Sequence, residues 1–212
     1  MMQEVLRNFI VFEGIDGTGT TTQLNRLEQH CKLKQIPAQF TCEPTGSEIG
    51  KIIRSVLKGT LPYHAETLAY LFAADRAEHL LGKDGIISTC QSGIPVVSDR
   101  YFFSSLAYQG ITCGDALPQS LNNRFPLPEL LIYFSLEPTT ADKRIANRAS
   151  REIFETLSFQ TQVKSKFETI LCDYEKSDMK IVTIDATKSP DSIEQEIWEA
   201  CIDIFNRCMQ NY

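Results

Sequence analysis

The chain has 212 residues, 42% of them hydrophobic and 23% charged, enough for one well-buried domain and too few for two of ordinary size. Its formal net charge of −6 argues against a protein that grips nucleic-acid backbones, which would carry a basic face; an anionic ligand has to be held by local groups. Seven cysteines without a Cys-x-x-Cys pair fit a reducing compartment better than a disulfide framework.

In chain order, the apolar run Asn8–Phe12 reads as a strand. It leads into Glu13-Gly14-Ile15-Asp16-Gly17-Thr18-Gly19 and then a helical pattern through Leu24 and Leu27, the strand–loop–helix setting of a phosphate-binding loop. Three glycines permit positive φ and close backbone approach, so successive N–H groups at a helix N-terminus can surround phosphate oxygens. Against the template Gly-x-x-x-x-Gly-Lys-Ser/Thr, Gly14 and Gly19 match and Thr21 takes the place of the magnesium-binding hydroxyl. Thr20 stands where lysine belongs. The loop, residues 13–21, is expected to bind ATP through Gly14, Ile15, Asp16, Gly17, Thr18, Gly19, Thr20, Thr21 and the following Thr22. A comparable arginine is worth roughly 10³–10⁵ in rate, so the missing cation needs a substitute.

Ala38–Thr41 reads as a second strand. Gly46-Ser47-Glu48-Ile49-Gly50-Lys51 has one residue too few between its glycines, and no Ser or Thr follows the lysine; Lys51 and Arg54 are expected on a helix. The next strand, Ile94–Ser98, ends in Asp99-Arg100-Tyr101, which puts a carboxylate and a guanidinium at a strand's carboxyl end, where open α/β sheets bind ligands. Asp99 is suited to magnesium held through water, and Arg100 offers a planar fork for phosphate. Leu130–Leu136 and Ile181–Asp185 complete five strands with 25 or more residues between neighbours. That alternation predicts an α/β fold, a parallel sheet with helices on both faces.

Between the last two strands, Asn147–Leu157 interrupts two helical patterns with basic and small residues, which reads as a lid or as an ordinary helix connection. Ser192–Met209 carries Ile193, Ile197, Cys201, Ile204, Phe205 and Cys208 at spacings of three and four, an amphipathic closing helix; Trp198 sits beside its stripe. No leader pattern and no long apolar window are found, which predicts a cytoplasmic protein without a membrane segment. His30, His64 and His79 show no metal-ligand spacing with the cysteines.

Phe9-Ile-Val-Phe-Glu-Gly-Ile-Asp-Gly-Thr-Gly, Glu43-Pro44, Ser98-Asp-Arg-Tyr101, Ser104-Ser-Leu-Ala-Tyr-Gln-Gly110 and Ile153-Phe-Glu155 with Phe159-Gln160 together resemble the thymidylate kinases. The likeness runs from Asn8 to Cys208. It implies one P-loop three-layer sandwich over residues 1–212 with a short lid near residues 147–157, and transfer of the γ-phosphoryl group of Mg·ATP to dTMP. It also implies a homodimer and no nucleic-acid partner.

By the same resemblance, Phe72 stacks on thymine and Arg76, one helical turn on, donates to the pyrimidine carbonyl or the acceptor phosphate. Alone, Phe72 would read as core and Arg76 as a solvated helix residue. Ser104 or Ser105 meets the base edge beside Gln109, and Tyr108 crowds the sugar's 2′ position. Asp16 lies near the acceptor's 3′-hydroxyl and phosphate, Glu43 near the metal or acceptor, and Arg100 bridges donor and acceptor phosphates. Arg144, Arg148 and Arg151, in or just before the lid, are the cations that replace the absent lysine. The segment Asp185-Ala186-Thr187-Lys188 is expected against adenine. Two departures stand out: Cys42 and Ile153 occupy positions where relatives often carry arginine. A kinase for dUMP or dCMP and a nucleotide-binding module without turnover are the competing readings. Joint retention of Asp16, Thr21, Phe72, Arg76, Asp99 and Arg100 argues against the module.

Overall fold

The computed structural model describes residues 3–146 and 152–210. The chain runs as β1 (Val5–Gly14), α1 (Thr20–Leu33), β2 (Gln39–Cys42), α2 (Glu48–Leu57), α3 (Ala65–Leu81), α4 (Ile86–Gln91), β3 (Val96–Asp99), α5 (Phe102–Cys113), α6 (Ala116–Asn122), β4 (Leu127–Ser135), α7 (Pro138–Ile145), α8 (Leu157–Tyr174), β5 (Lys180–Asp185) and α9 (Pro190–Gln210). All strand pairings are parallel, in the order β2-β3-β1-β4-β5. Each predicted strand forms within a few residues of its expected bounds.

The sheet centre is dry because both faces are covered, so its strands read as unbroken apolar runs rather than alternating ones. Phe9, Ile10, Val11 and Phe12 on β1, Val96 and Val97 on β3, and Leu130, Leu131 and Ile132 on β4 all have no exposed surface. On one side α1 packs on β1, β3 and α9; on the other, α5 packs on β1, α3 and α8. Trp198 is half-buried and stacks on His30 with ring centroids 4.2 Å apart, a packing role.

β1 starts three residues earlier than the apolar run suggests. Asn8 lies at φ 65° where the pairing register with β4 shifts, a bulge that Asn tolerates better than most residues. Its backbone N–H donates to Glu129 at 2.7 Å and its side-chain amide to the Cys90 carbonyl at 3.1 Å, so the polar interruption is satisfied. Lys51 and Arg54 lie on α2, as expected, and the closing helix is two residues longer at its start than Ser192–Met209.

Candidate active site

At the carboxyl end of the sheet a cleft of about 320 Å³ opens between the β1–α1 loop, α3, α5 and the segment preceding α8. Its floor is built from the glycine loop. Gly17 and Gly19 have φ values of 89° and 94°, and Gly19 caps α1 in the left-handed conformation. Space constrains the first of these: a Cβ on Gly17 would lie 2.8 Å from the Ala141 carbonyl oxygen, whereas nothing stands within 4 Å of one on Gly19. The first turn of α1 therefore points unblocked backbone N–H groups at the cleft, a ready anion site.

At this end Ile15, Asp16, Gly17, Gly19, Thr20, Thr21 and Thr22 line the cleft; Gly14 and Thr18 shape the loop from behind. The Thr18 hydroxyl donates to the Ile15 carbonyl at 2.9 Å. Arg144, at the end of α7, stands beside the loop and not in the cleft: it donates to the Ala186 carbonyl at 2.8 Å and approaches the Thr18 carbonyl at 3.5 Å, tying the loop to the segment after β5. Arg148 and Arg151, with residues 147–151 of the expected lid, lie outside the described residues.

Thr21 Oγ1 donates to Asp99 Oδ2 at 2.5 Å, while Asp99 Oδ1 is buried without a hydrogen-bond partner. A buried carboxylate oxygen without a donor is costly. Beside a hydroxyl and a phosphate loop, it has the hard-oxygen chemistry of a magnesium site completed by nucleotide and water.

Across the cleft the guanidinium of Arg100 is held by three partners. It donates to Asp16 Oδ1 at 2.5 Å, to Ser104 Oγ at 2.9 Å and to the Gly14 carbonyl at 3.2 Å, and it lies 5.4 Å from the Tyr108 ring centre. Arg100 itself sits at φ 74°, strained for a residue with a Cβ and typical of functional turns. Asp16 Oδ2 accepts from Tyr108 Oη at 3.1 Å and from Gln160 Nε2 at 2.7 Å, and the Asp16 N–H donates to Gln160 Oε1 at 3.1 Å. Burial holds the Tyr108 phenol well above its usual range, so it remains a donor.

Arg76 is 1% exposed, and all three guanidinium nitrogens are engaged. Nε donates to Glu43 Oε2 at 2.9 Å, Nη1 to Asn122 Oδ1 at 2.5 Å and Nη2 to Ser105 Oγ at 3.1 Å. Glu43 also meets His79 Nδ1 at 3.2 Å. The Phe72, Ser104, Ser105, Tyr108, Gln109, Glu43 and Arg76 side of the cleft is thus assembled as one wall. Phe72 stands one turn before Arg76 on α3, partly buried against Ile53, Val56 and Leu57. The two serines are divided: Ser104 joins Arg100, Ser105 joins Arg76.

Several members of the site were not singled out by their sequence. Asp75, 1% exposed, accepts from the Thr45 N–H at 2.7 Å and from the Thr45 and Ser47 hydroxyls at 2.6 and 2.8 Å, which fixes the turn between β2 and α2. Arg54 reaches from α2 to the carbonyls of Pro44 and Thr45 and lines the cleft. Gln160, Asn122 and His79 hold the three acidic or basic side chains named above. Phe154 enters the cleft wall, stacked on Phe159 at 4.9 Å. Gln160 stands in the block Phe159-Gln160, but its partner Asp16 is 144 residues away, which no local pattern reveals.

The fold and site define a class: a P-loop α/β phosphotransferase with the glycine loop after β1 and a carboxylate at the end of the neighbouring strand. Comparison with known proteins then specifies it. Residues 12–197 match the family model described as Thymidylate kinase. The chain is 43% identical over 196 residues to a Treponema pallidum (strain Nichols) protein named "Putative thymidylate kinase", covering 91% of this chain and 94% of that one. It is 35% identical over 205 residues to "Thymidylate kinase" of Leptospira borgpetersenii serovar Hardjo-bovis, covering 94% and 95%. The chain belongs to the thymidylate kinase family.

Proposed function

We propose that this chain transfers the γ-phosphoryl group of ATP to dTMP, giving dTDP and ADP for dTTP synthesis, as a single cytoplasmic domain that works as a homodimer. The observation that carries the reading is the Asp16–Arg100–Ser104 cluster, which joins the phosphate loop to the wall bearing Phe72 and Arg76. Family membership and the relatives' names supply the substrate.

On this reading the backbone amides of residues 15–20 hold the donor's phosphates. Thr21 and Asp99 face the magnesium that ATP brings; when bound, the ion neutralises the charge on the phosphate oxygens. Arg100 lies where donor and acceptor phosphates meet, and Asp16 fixes it from the loop side. Phe72 supplies an aromatic face to the base, Arg76 and Ser105 present polar edges, and Tyr108 closes the wall beside the sugar. Positioning and charge neutralisation carry such a transfer without a covalent intermediate. Arg148 and Arg151 are assigned the charge that Thr20 lacks, and Arg144 the edge of the nucleotide site beside residues 185–188.

The test is monophosphate-dependent ADP release in a coupled assay, with dTMP, dUMP and dCMP as acceptors. The expected result is the highest kcat/KM with dTMP. A weak dTMP value beside a strong rival overturns the substrate, and ATP binding without release under any acceptor overturns the activity.

A further inference from the structure

Glu13, the penultimate residue of β1, is an acidic side chain with no exposed surface, and it does not line the cleft. Its carboxylate is nonetheless fully employed. Oε1 accepts the backbone N–H of Tyr101 at 2.9 Å and of Ser104 at 3.0 Å, and Oε2 accepts the Ser104 hydroxyl at 2.6 Å. Tyr101 is the N-cap of α5 and has no side-chain capping bond of its own. The first turn of a helix leaves N–H groups without intrahelical partners. Glu13 satisfies two of the donors at this turn from a neighbouring strand, as a cap supplied from outside the helix.

The consequence reaches Arg100. The residue sits between the end of β3 and the start of α5, with its N–H on the Phe12 carbonyl at 2.9 Å and its carbonyl accepting from Ser98 Oγ at 2.8 Å. Its left-handed backbone is therefore clamped by β1 on one side and by the Glu13-capped turn on the other. The side chain is clamped as well, because the Ser104 hydroxyl that donates to Glu13 accepts from Arg100 Nη1 at 2.9 Å. The hydroxyl's one proton is committed to the carboxylate, which leaves its lone pairs to the guanidinium.

We propose that Glu13 is a positioning residue for phosphoryl transfer: through Ser104 and the α5 cap it fixes the Arg100 guanidinium against Asp16. The inference rests on the kinase reading for its rate readout and on geometry alone for the rest. In Glu13→Gln an amide N–H meets Ser104 Oγ in place of a carboxylate oxygen, so the hydroxyl proton loses its acceptor and the amide competes with Arg100 for the Ser104 lone pairs, while Oε1 still accepts the two backbone donors.

The experiment compares wild type, E13Q, S104A, S104T and the E13Q/S104A double variant. Turnover with ATP and dTMP is expected to fall about tenfold or more in E13Q with KM for ATP within about twofold, to fall similarly in S104A, and to return toward wild type in S104T. The double variant is expected to be no worse than S104A. Additive losses, or an E13Q protein with wild-type kcat, overturn the relay. A guanidinium NMR spectrum gives a readout independent of turnover: a slowly exchanging Arg100 signal in wild type should broaden in E13Q as well as in S104A, and an E13Q signal that stays as sharp as wild type overturns the proposal. Loss of dTMP turnover in wild type itself would instead overturn the kinase reading and leave the spectrum to decide the relay.

Discussion

The two ends of the cleft are built on different principles. At the wall proposed to take the acceptor, charge comes from side chains locked in pairs: Arg76 with Glu43 and Arg100 with Asp16. At the phosphate loop the described lining is Ile15, Asp16, Gly17, Gly19 and three threonines, whose backbone N–H groups face the cleft and which include no cation. On the proposed reading, the cations of the wall are fixed in advance, and the donor-side charge is left to residues beyond the loop.

The largest expected break in that contrast is Arg100→Ala. An arginine that neutralises transferring phosphate is worth roughly 10³–10⁵ in rate, so kcat should drop by about three orders of magnitude while the melting temperature moves little. Steady-state kinetics beside thermal unfolding checks both halves.

Arg76→Ala should be expensive in the other currency. The substitution leaves Glu43, 5% exposed, as a buried charge without its guanidinium partner, and breaking a buried pair costs about 3–5 kcal/mol. At about 2–4 °C per kcal/mol for a domain of this size, thermal unfolding should shift down by roughly 10 °C.

The sheet and most of this site were legible in the sequence for one physical reason: they depend on local periodicity and on motif order. Asn8–Phe12 and Leu130–Leu136 are strands whichever partner they find, and Gly14 to Thr21 declares its loop by itself. What could not be read is long-range polar pairing. Glu13 stands in the quoted glycine block, yet its service to Tyr101 and Ser104 depends on how β1 registers with β3, where Phe12 meets Asp99. Asn122, His79 and Gln160 are ordinary polar helix residues until the fold brings each to a buried charge. The division of Ser104 to Arg100 and Ser105 to Arg76 likewise follows from the helical rotation of α5 between β1 and α3.

A smaller effect probes the support behind Arg100 through pH. Burial pushes the Glu13 carboxyl up from 4.5 to about 7, against the opposing pull of Arg100 and the bonds from Ser104 and Tyr101; Tyr133 of β4 lies across the strand pair. Because the folded state holds this proton more tightly than the unfolded chain, the Glu13 contribution to stability is greatest below about pH 4.5 and declines as pH rises to about 7. Glu13→Gln should flatten that part of the stability profile, measured by denaturant unfolding between pH 5 and 8, relative to wild type. A parallel profile would show that Glu13 does not titrate in this range.

The smallest expected effect is at the other end. Thr20→Lys restores a cation to a loop whose backbone already holds phosphate; a gain of about 1 kcal/mol, roughly fivefold in KM for ATP, is expected when other arginines are present.

Removing those arginines tests the central claim most directly. In the R148A/R151A protein, dTMP-dependent ADP release should fall by about a hundredfold or more, and adding Thr20→Lys to it should recover a substantial part of the loss. Wild-type turnover in R148A/R151A would contradict the account, because the charge missing at Thr20 would then not come from these arginines.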